Sequence, residues 1–228
     1  MIKAGIIGTG NIGTDLLLKL INTDFIEPVI FAGRRMSSNG IKLAQEKGIP
    51  VTDKGIDYFI ENCCVADIVY DCTNAIDAKQ HAKVFKKQGV KVIDLTPAKV
   101  GDLCVPNINP KIIQDNGNVN MITCGGQVSL PLLKYLKSKC NISYAEVVSQ
   151  ISSDTAGMAT RINIDKYIET TESAIQTLIG INNCKVILNV NPYPKTVMQT
   201  TIFIKTNQKV ILEDYDLIIK KTKKYING

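Results

Sequence analysis

Tryptophan is absent from this chain, histidine occurs once, and aromatic residues make up only 6% of its 228 positions. A single histidine rules out a histidine-rich metal centre. His81 falls in the helical segment DAKQHAKVF, where an exposed position is expected, so no Cys–His catalytic pair is anticipated. The seven cysteines lack metal-ligand spacing, and the neighbours Cys63 and Cys64 are poor joint ligands, so no metal site is expected. Cysteines that are odd in number and scattered read as reduced thiols of a cytoplasmic protein. No apolar run reaches membrane-spanning length. The N-terminus, MIKAGIIGTG, opens directly on a strand without the pattern of a secretory signal. Internal repeats and low-complexity linkers are also missing. The net charge is +6, part of it in KKTKK at residues 220–224. With few aromatics and no nucleic-acid motif, this basic run reads as a solvated helix end, so neither nucleic acid nor membrane is expected as a partner.

What is present is ordinary for a folded globule, 45% hydrophobic and 21% charged residues, and much of it is arranged as alternating strands and helices. The apolar run IKAGII leads into Gly8-Thr9-Gly10-Asn11-Ile12-Gly13 and then into the amphipathic TDLLLKLINT. Strand, G-x-G-x-x-G and helix in this order form the context a dinucleotide fingerprint requires. The first glycine permits the tight turn, the second lets the backbone meet a pyrophosphate, and the third lets helix pack on strand. The second strand, PVIFAG, ends in Arg34-Arg35 rather than an acid. An acid there would hold the ribose 2′-hydroxyl of NAD, whereas Arg34 suits the 2′-phosphate of NADP. A solvated arginine pair is the equally simple alternative.

Further βα units follow. A helix is expected over 38–48 and another over 77–88, with strands at 67–72 and 91–95. Repetition of this kind predicts an α/β fold with a parallel, doubly wound sheet. Ligands of such sheets lie beyond the carboxyl ends of the strands, where Asp71-Cys72-Thr73-Asn74 and Asp94-Leu95-Thr96-Pro97 fall. Cys124 falls at another such end, inside NVNMITCGGQ. There a β-type run meets a cysteine, two glycines and the helix-like VSLPLLKYLKS. A cysteine at a strand-to-helix turn sits near backbone N–H groups and the positive end of a helix dipole, which favour thiolate. The same N–H groups would cradle an oxyanion formed on a carbonyl under attack. The glycines suggest backbone that a ligand approaches closely. The competing view is a small buried residue at a turn.

After Cys124 the texture changes. Longer β-type runs at 143–151, 185–190 and 196–205 surround a small-residue loop at 152–161 and a long helix expected over 162–179. Asn191-Pro192-Tyr193-Pro194 reads as a turn, and 209–226 reads as a last helix. The expected organisation is a dinucleotide-binding Rossmann domain over 1–122 and an antiparallel α+β domain over 123–228.

These segments match a known family. GTGNIGTDL, VIDLTPAKVGDLCVP, NVNMITCGGQ, ISSDTAGMATRINID, YIETTESAI and the turn at Asn191 cover nearly the whole chain. The chain resembles the acylating acetaldehyde dehydrogenases that work with a 4-hydroxy-2-oxovalerate aldolase in bacterial breakdown of aromatic compounds. The resemblance implies oxidation of a short aldehyde to its acyl-CoA with NAD, and CoA as co-substrate. It implies Cys124 as the thioester-forming nucleophile and Gly8, Thr9, Gly10, Asn11, Ile12 and Gly13 as the phosphate-binding turn. A second cofactor-contacting stretch is implied at Thr155, Ala156, Gly157, Met158, Ala159, Thr160, Arg161, Ile162 and Asn163. A homodimer formed through the second domain and an aldolase subunit as partner are also implied.

Three departures accompany the match. Thr200 stands where the family has an aspartate thought to activate the cysteine, and a threonine supplies no carboxylate. Family members continue past this chain's end, so the second domain reads as truncated. Met158-Ala159 also replace a glycine-containing loop. The alternatives are therefore a related oxidoreductase for another aldehyde, with NADP, or a non-catalytic relative serving as a nucleotide-binding or interaction subunit.

Overall fold

The computed structural model describes residues 1–115, 117–193, 198–207 and 220. The chain divides into two compact units. The first comprises residues 1–102 and 112–121, and the second 103–111 and 122–228. The changeover near 121 lies beside the expected boundary, but residues 103–111 pack with the second unit.

The first unit runs β1 (Ile2–Ile7), α1 (Asn11–Ile21), β2 (Ile26–Ala32), α2 (Asn39–Glu46), β3 (Val51–Thr52), α3 (Ile56–Glu61), β4 (Ile68–Asp71), α4 (Ala75–Gln88) and β5 (Lys91–Asp94). After β6 (Asp102–Leu103) and α5 (Ile112–Asp115) it closes with β7 (Asn118–Asn120). The sheet order is β3-β2-β1-β4-β5-β7-β6, doubly wound as the alternation predicts. Both faces of such a sheet are covered, so β1 is apolar without alternation. Ile7 packs with Val69, Phe59 and Phe85 on one side, and Ala4 and Ile6 pack with Leu17 and Phe31 on the other. On α1 the buried residues Gly13, Leu17 and Leu20 recur at helical spacing, and burying Leu17 completely stabilises by roughly 1.5–3 kcal/mol. The helices start where short polar side chains replace the missing backbone partners. Ser38 accepts from the Ile41 N–H of α2, and Asn74 accepts from Ile76 and Asp77 in α4. Gly89, at φ 68°, closes α4.

His81 departs from expectation. It is buried on the inner face of α4, with Nδ1 2.8 Å from Asp71 Oδ2. An exposed helix position is expected, but His81 shares the buried face of Ala75, Ala78 and Phe85, and a carboxylate from β4 supplies the polar partner that burial demands.

The second unit contains α6 (Cys124–Lys139), β8 (Ile142–Ser152), α7 (Met158–Ile162), α8 (Ile164–Ala174), a π-helical turn (Ile175–Ile179), β9 (Cys184–Asn191) and β10 (Gln199–Thr206). Its sheet has the order β10-β8-β9. The antiparallel arrangement expected here holds for β10 against β8 only, because β9 runs parallel to β8. The helical crossover between β8 and β9 returns the chain in the same direction. The single long helix expected over 162–179 is instead three pieces. Asn163, at φ −112° and ψ 24°, breaks the first join, and Gly180 at φ 75° ends the π turn. One face of the sheet is packed through Ala145, Val147 and Val186 against Leu130, Leu133, Ala174 and Ile175. The helix expected over 209–226 lies outside the described residues, apart from Lys220. No helix among the described residues is long and apolar enough to cross a membrane.

Candidate active site

In the first unit the strand register brings Ile7, Asp71, Asp94 and Asn120 into line at one edge of the sheet. The glycine turn leaves β1 at this edge. Gly8 has φ 107°, and a Cβ there would lie 2.5 Å from the Cys72 carbonyl group. A Cβ on Gly13 would collide with the Gly8 carbonyl oxygen. Both glycines are therefore required for the chain to pack on itself. Gly10 is different, since a Cβ there would meet nothing within 4 Å. Its backbone faces open space at the N-terminus of α1, and no side chain caps that helix, unlike α2, α4 and α6. Uncapped first-turn N–H groups beside an open glycine form the arrangement an anionic phosphate group fits. A cavity of about 380 Å³ opens beside Thr9, Gly10, Asn11 and Thr14, bounded across by Asn39 and Gly40 of α2. Arg34, just beyond β2, is largely exposed, with Nη1 3.4 Å from Asp77 Oδ2. An exposed pair of this kind holds the guanidinium weakly, by under about 1 kcal/mol.

Asp94 and Asn120 form a buried polar knot at the same edge. Asp94 accepts from Thr96 N–H at 2.7 Å and from the Asn120 amide at 2.8 Å. Burial pushes the Asp94 carboxyl up to about 7, against the opposing pull of the Thr96 and Asn120 hydrogen bonds. The Cys72 thiol beside it is pushed far up by burial and by the carboxylates of Asp71 and Asp94, which favour its neutral form.

In the second unit Cys124 is the first residue of α6. Thr123 caps that helix, its hydroxyl accepting from Gly126 N–H at 3.0 Å. Ile122, immediately before the cap, has φ 62° although it is β-branched and buried. A left-handed conformation at such a residue is strained, and it marks the sharp bend that delivers Cys124. The two glycines lie inside the helix's first turn, and their reason differs from the one expected. A Cβ on Gly125 would run into the Tyr167 hydroxyl and Ser149 Oγ, and one on Gly126 would stand 2.8 Å from Ile122 Cγ2. The protein's own atoms, not a ligand, occupy the space the missing side chains leave.

The amides are likewise engaged. Gly125 N–H donates to the Tyr167 hydroxyl at 3.1 Å, and Gln127 N–H to the Thr123 carbonyl at 2.9 Å. With Gly126 N–H on Thr123, the three amides that follow Cys124, part of the expected oxyanion cradle, are already taken by hydroxyls and a carbonyl. The Cys124 residue as a whole is exposed, yet crowding around its sulfur pushes the thiol up, and the Tyr167 hydroxyl and Gly125 N–H pull it back only in part. The lowered thiol expected from the helix terminus is thus corrected, because desolvation of the sulfur outweighs the N-terminal field. Thr200 on β10 faces Ser149 on β8, with their hydroxyls 3.4 Å apart, so the position that departs from the resemblance joins the same hydroxyl cluster.

The stretch from Thr155 to Asn163 forms a loop and the short helix α7. Thr155 and Ala156 bond back to the Ser152 carbonyl, and Gly157 N–H bonds to the Thr155 carbonyl. Arg161 donates to the Ala156 and Ser153 carbonyls, which ties the loop closed. Met158 and Ile162 are exposed, whereas Asn163 is buried, its N–H bonded to the Thr160 carbonyl. Sequence reasoning missed Tyr167, Ser149 and Thr123. Only the cap pattern at Thr123 carried a readable signal.

Comparison with known proteins finds two family models along the chain. A family model described as semialdehyde dehydrogenase, NAD-binding domain, matches residues 3–116. Another, described as prokaryotic acetaldehyde dehydrogenase, dimerisation, matches residues 124–228. An acetaldehyde dehydrogenase of Spirochaeta aurantia is 43% identical over all of this chain, which spans 78% of that relative. One from Pectobacterium atrosepticum is 41% identical, again over the whole chain and 79% of the relative. Among solved structures, aspartate semialdehyde dehydrogenase with NADP from Candida albicans shares the fold at a TM-score of 0.67. Its identity is 17%, over 99% of this chain and 76% of that one. With relatives this similar along its entire length, the chain belongs to the acetaldehyde dehydrogenase family.

Proposed function

We propose that this protein is a CoA-acylating aldehyde dehydrogenase, converting a short aldehyde to its acyl-CoA with NAD or NADP through a thioester on Cys124. The observation that carries this reading is the placement of Cys124, exposed at the first position of α6 after a strained bend. Family membership supports it. The Gly8–Gly13 turn, with its open Gly10 and uncapped α1, supports nucleotide binding. Asn11, Ile12 and Gly13 would offer their N–H groups to the pyrophosphate, Thr9 lies beside them, and the exposed Arg34 just beyond β2 would meet a 2′-phosphate. Residues Thr155 to Asn163 are assigned as a second cofactor-contacting stretch, with exposed Met158 and Ile162 as its apolar surface.

When bound, the nicotinamide supplies the hydride acceptor for the oxidation. The chain's own part starts with the Cys124 thiolate, whose sulfur attacks the aldehyde carbonyl carbon and forms a C–S bond. Once oxidation has left an acyl thioester on Cys124, the CoA thiol attacks that carbonyl. The C–S bond to Cys124 then breaks, releasing acyl-CoA and restoring the thiolate. Among the described residues no carboxylate, histidine or lysine acts on the cysteine, and the only other titratable group that does so is Tyr167.

A homodimer is part of the same reading. It rests on the dimerisation-domain match and on the outward face of the second sheet, where Val148 lies opposite Ile187 and the exposed Phe203 lies on the neighbouring strand. Docking of an aldolase subunit is proposed from the family alone.

The test is reduction of NAD or NADP followed by absorbance, with acetaldehyde or propanal and CoA. CoA-dependent reduction that disappears in Cys124→Ser is the expected result. A folded protein that reduces neither cofactor would overturn the reading in favour of a non-catalytic relative.

A further inference from the structure

The group closest in chemistry to Cys124 is a phenol, and its hydrogen-bond inventory leaves one proton to place. The Tyr167 hydroxyl is buried between α6 and β8. It accepts from Gly125 N–H, one residue beyond Cys124, at 3.1 Å, and a Cβ on Gly125 would strike both this hydroxyl and Ser149 Oγ, so the two stand together against the first turn of α6. Ser149, Thr123 and Cys124 are the side chains that act on it. Thr171 donates to the Tyr167 carbonyl at 2.8 Å, so across the 2.7 Å contact between the two threonines the donor is Thr123. Thr123 Oγ1 also accepts from Gly126 N–H. Its proton is therefore committed to Thr171, and it has none for Tyr167. Ser149 is free to donate to Tyr167, with the Thr200 hydroxyl 3.4 Å behind it. Both lone pairs of the phenol oxygen are then engaged, by the Gly125 amide and by Ser149. One O–H remains to be donated, and an anionic sulfur is a stronger acceptor than a neutral hydroxyl.

We propose that Tyr167 is the positioning residue for Cys124: its hydroxyl, anchored by Gly125 N–H and Ser149, donates its single proton to the Cys124 thiolate. The relay Thr200, Ser149, Tyr167, Cys124 carries hydrogen-bond donation toward the sulfur. It contains no group that takes a proton away, so it stabilises the thiolate without acting as a base. Thr200 thereby contributes from the position where the family resemblance implies an acid. The glycine at 125 is required because this hydroxyl must stand against the first-turn amide. The inference rests on the reading of Cys124 as nucleophile, but its test involves no aldehyde, CoA or nucleotide.

The experiment is the rate of Cys124 alkylation by iodoacetamide as a function of pH, resolved by peptide mass spectrometry so that the other six cysteines do not contribute. Tyr167→Phe is expected to move the midpoint up by about one pH unit, which makes alkylation near pH 7 about tenfold slower, with the high-pH plateau unchanged. Ser149→Ala, which keeps the phenol but removes one anchor, is expected to move the midpoint the same way by less. A structural role alone would change the plateau, through exposure of the sulfur, and leave the midpoint in place. An unmoved midpoint in folded Tyr167→Phe overturns the proposal. If that variant does not fold, the Ser149→Ala midpoint decides in the same sense.

Discussion

Two buried groups decide how this chain behaves at the level of single residues. Gly125 is one, because any side chain at that position enters the space of the Tyr167 and Ser149 hydroxyls. Gly125→Ala is expected to cost about 1–3 kcal/mol in urea unfolding, the range for overpacking a tight site. Val128→Ala, on an exposed position of the same helix, should change stability by less than about 0.5 kcal/mol. Asp94 is the other. Its folded carboxyl titrates near 7, whereas an unfolded aspartate titrates near 3.9, so in that window the folded state holds the extra proton. Stability from this group is therefore full below about pH 4 and is lost as pH rises through 7. Unfolding of the native protein at pH 5.5 and pH 8, compared with Asp94→Asn, should show a loss on the order of 2–3 kcal/mol that the variant lacks. Equal pH dependence in both proteins would show that Asp94 does not hold its proton. Cys124 and the two glycines were legible as special from their order along the chain. The reason for Gly125 was not, since it lies in hydroxyls contributed from positions 149 and 167. His81 was misread for the same kind of reason, because its partner Asp71 comes from β4 rather than from its own helix.

The elements were legible where a local rule sets them. Ser38 and Asn74 announce helices because a short acceptor side chain satisfies the N–H groups of the turn that follows it. The G-x-G-x-x-G turn announces the β1–α1 unit because its first and third glycines are needed for the fold itself. Its second glycine is not, and this separates packing from ligand approach. Gly10→Ala should leave stability within about 0.5 kcal/mol, while calorimetric titration shows NAD or NADP binding weakened severalfold or more. Gly13→Ala should instead destabilise by about 1–3 kcal/mol, through collision with the Gly8 carbonyl. If Gly10→Ala binds nucleotide normally, the phosphate is not held at this turn. The break at Asn163 and the π turn before Gly180 had no comparable marker, because the apolar spacing of 162–179 suits one continuous helix.

At the scale of the whole molecule, the second sheet has one face packed on helices and the other turned outward with Val148, Ile187 and Phe203. Light scattering of the native protein should give the mass of a dimer. Phe203→Glu, which charges the outward face without touching the buried one, should shift it toward the monomer mass. An unchanged dimer would place the interface elsewhere.

The sequence by itself determined the nucleotide-type turn, the family and the place of Cys124 at a strand-to-helix turn. Each of these depends on short-range order: periodicity, glycine placement, capping residues and segment-by-segment likeness. The tertiary structure alone decided that β9 runs parallel to β8, that His81 is buried, and that the amides beside Cys124 are already bonded. It also decided that a tyrosine stands at the sulfur. Those outcomes depend on which distant hydroxyls and carboxylates meet in the fold. A linear chain does not display that information, because hydrogen-bond partners are chosen by packing and not by neighbourhood in sequence.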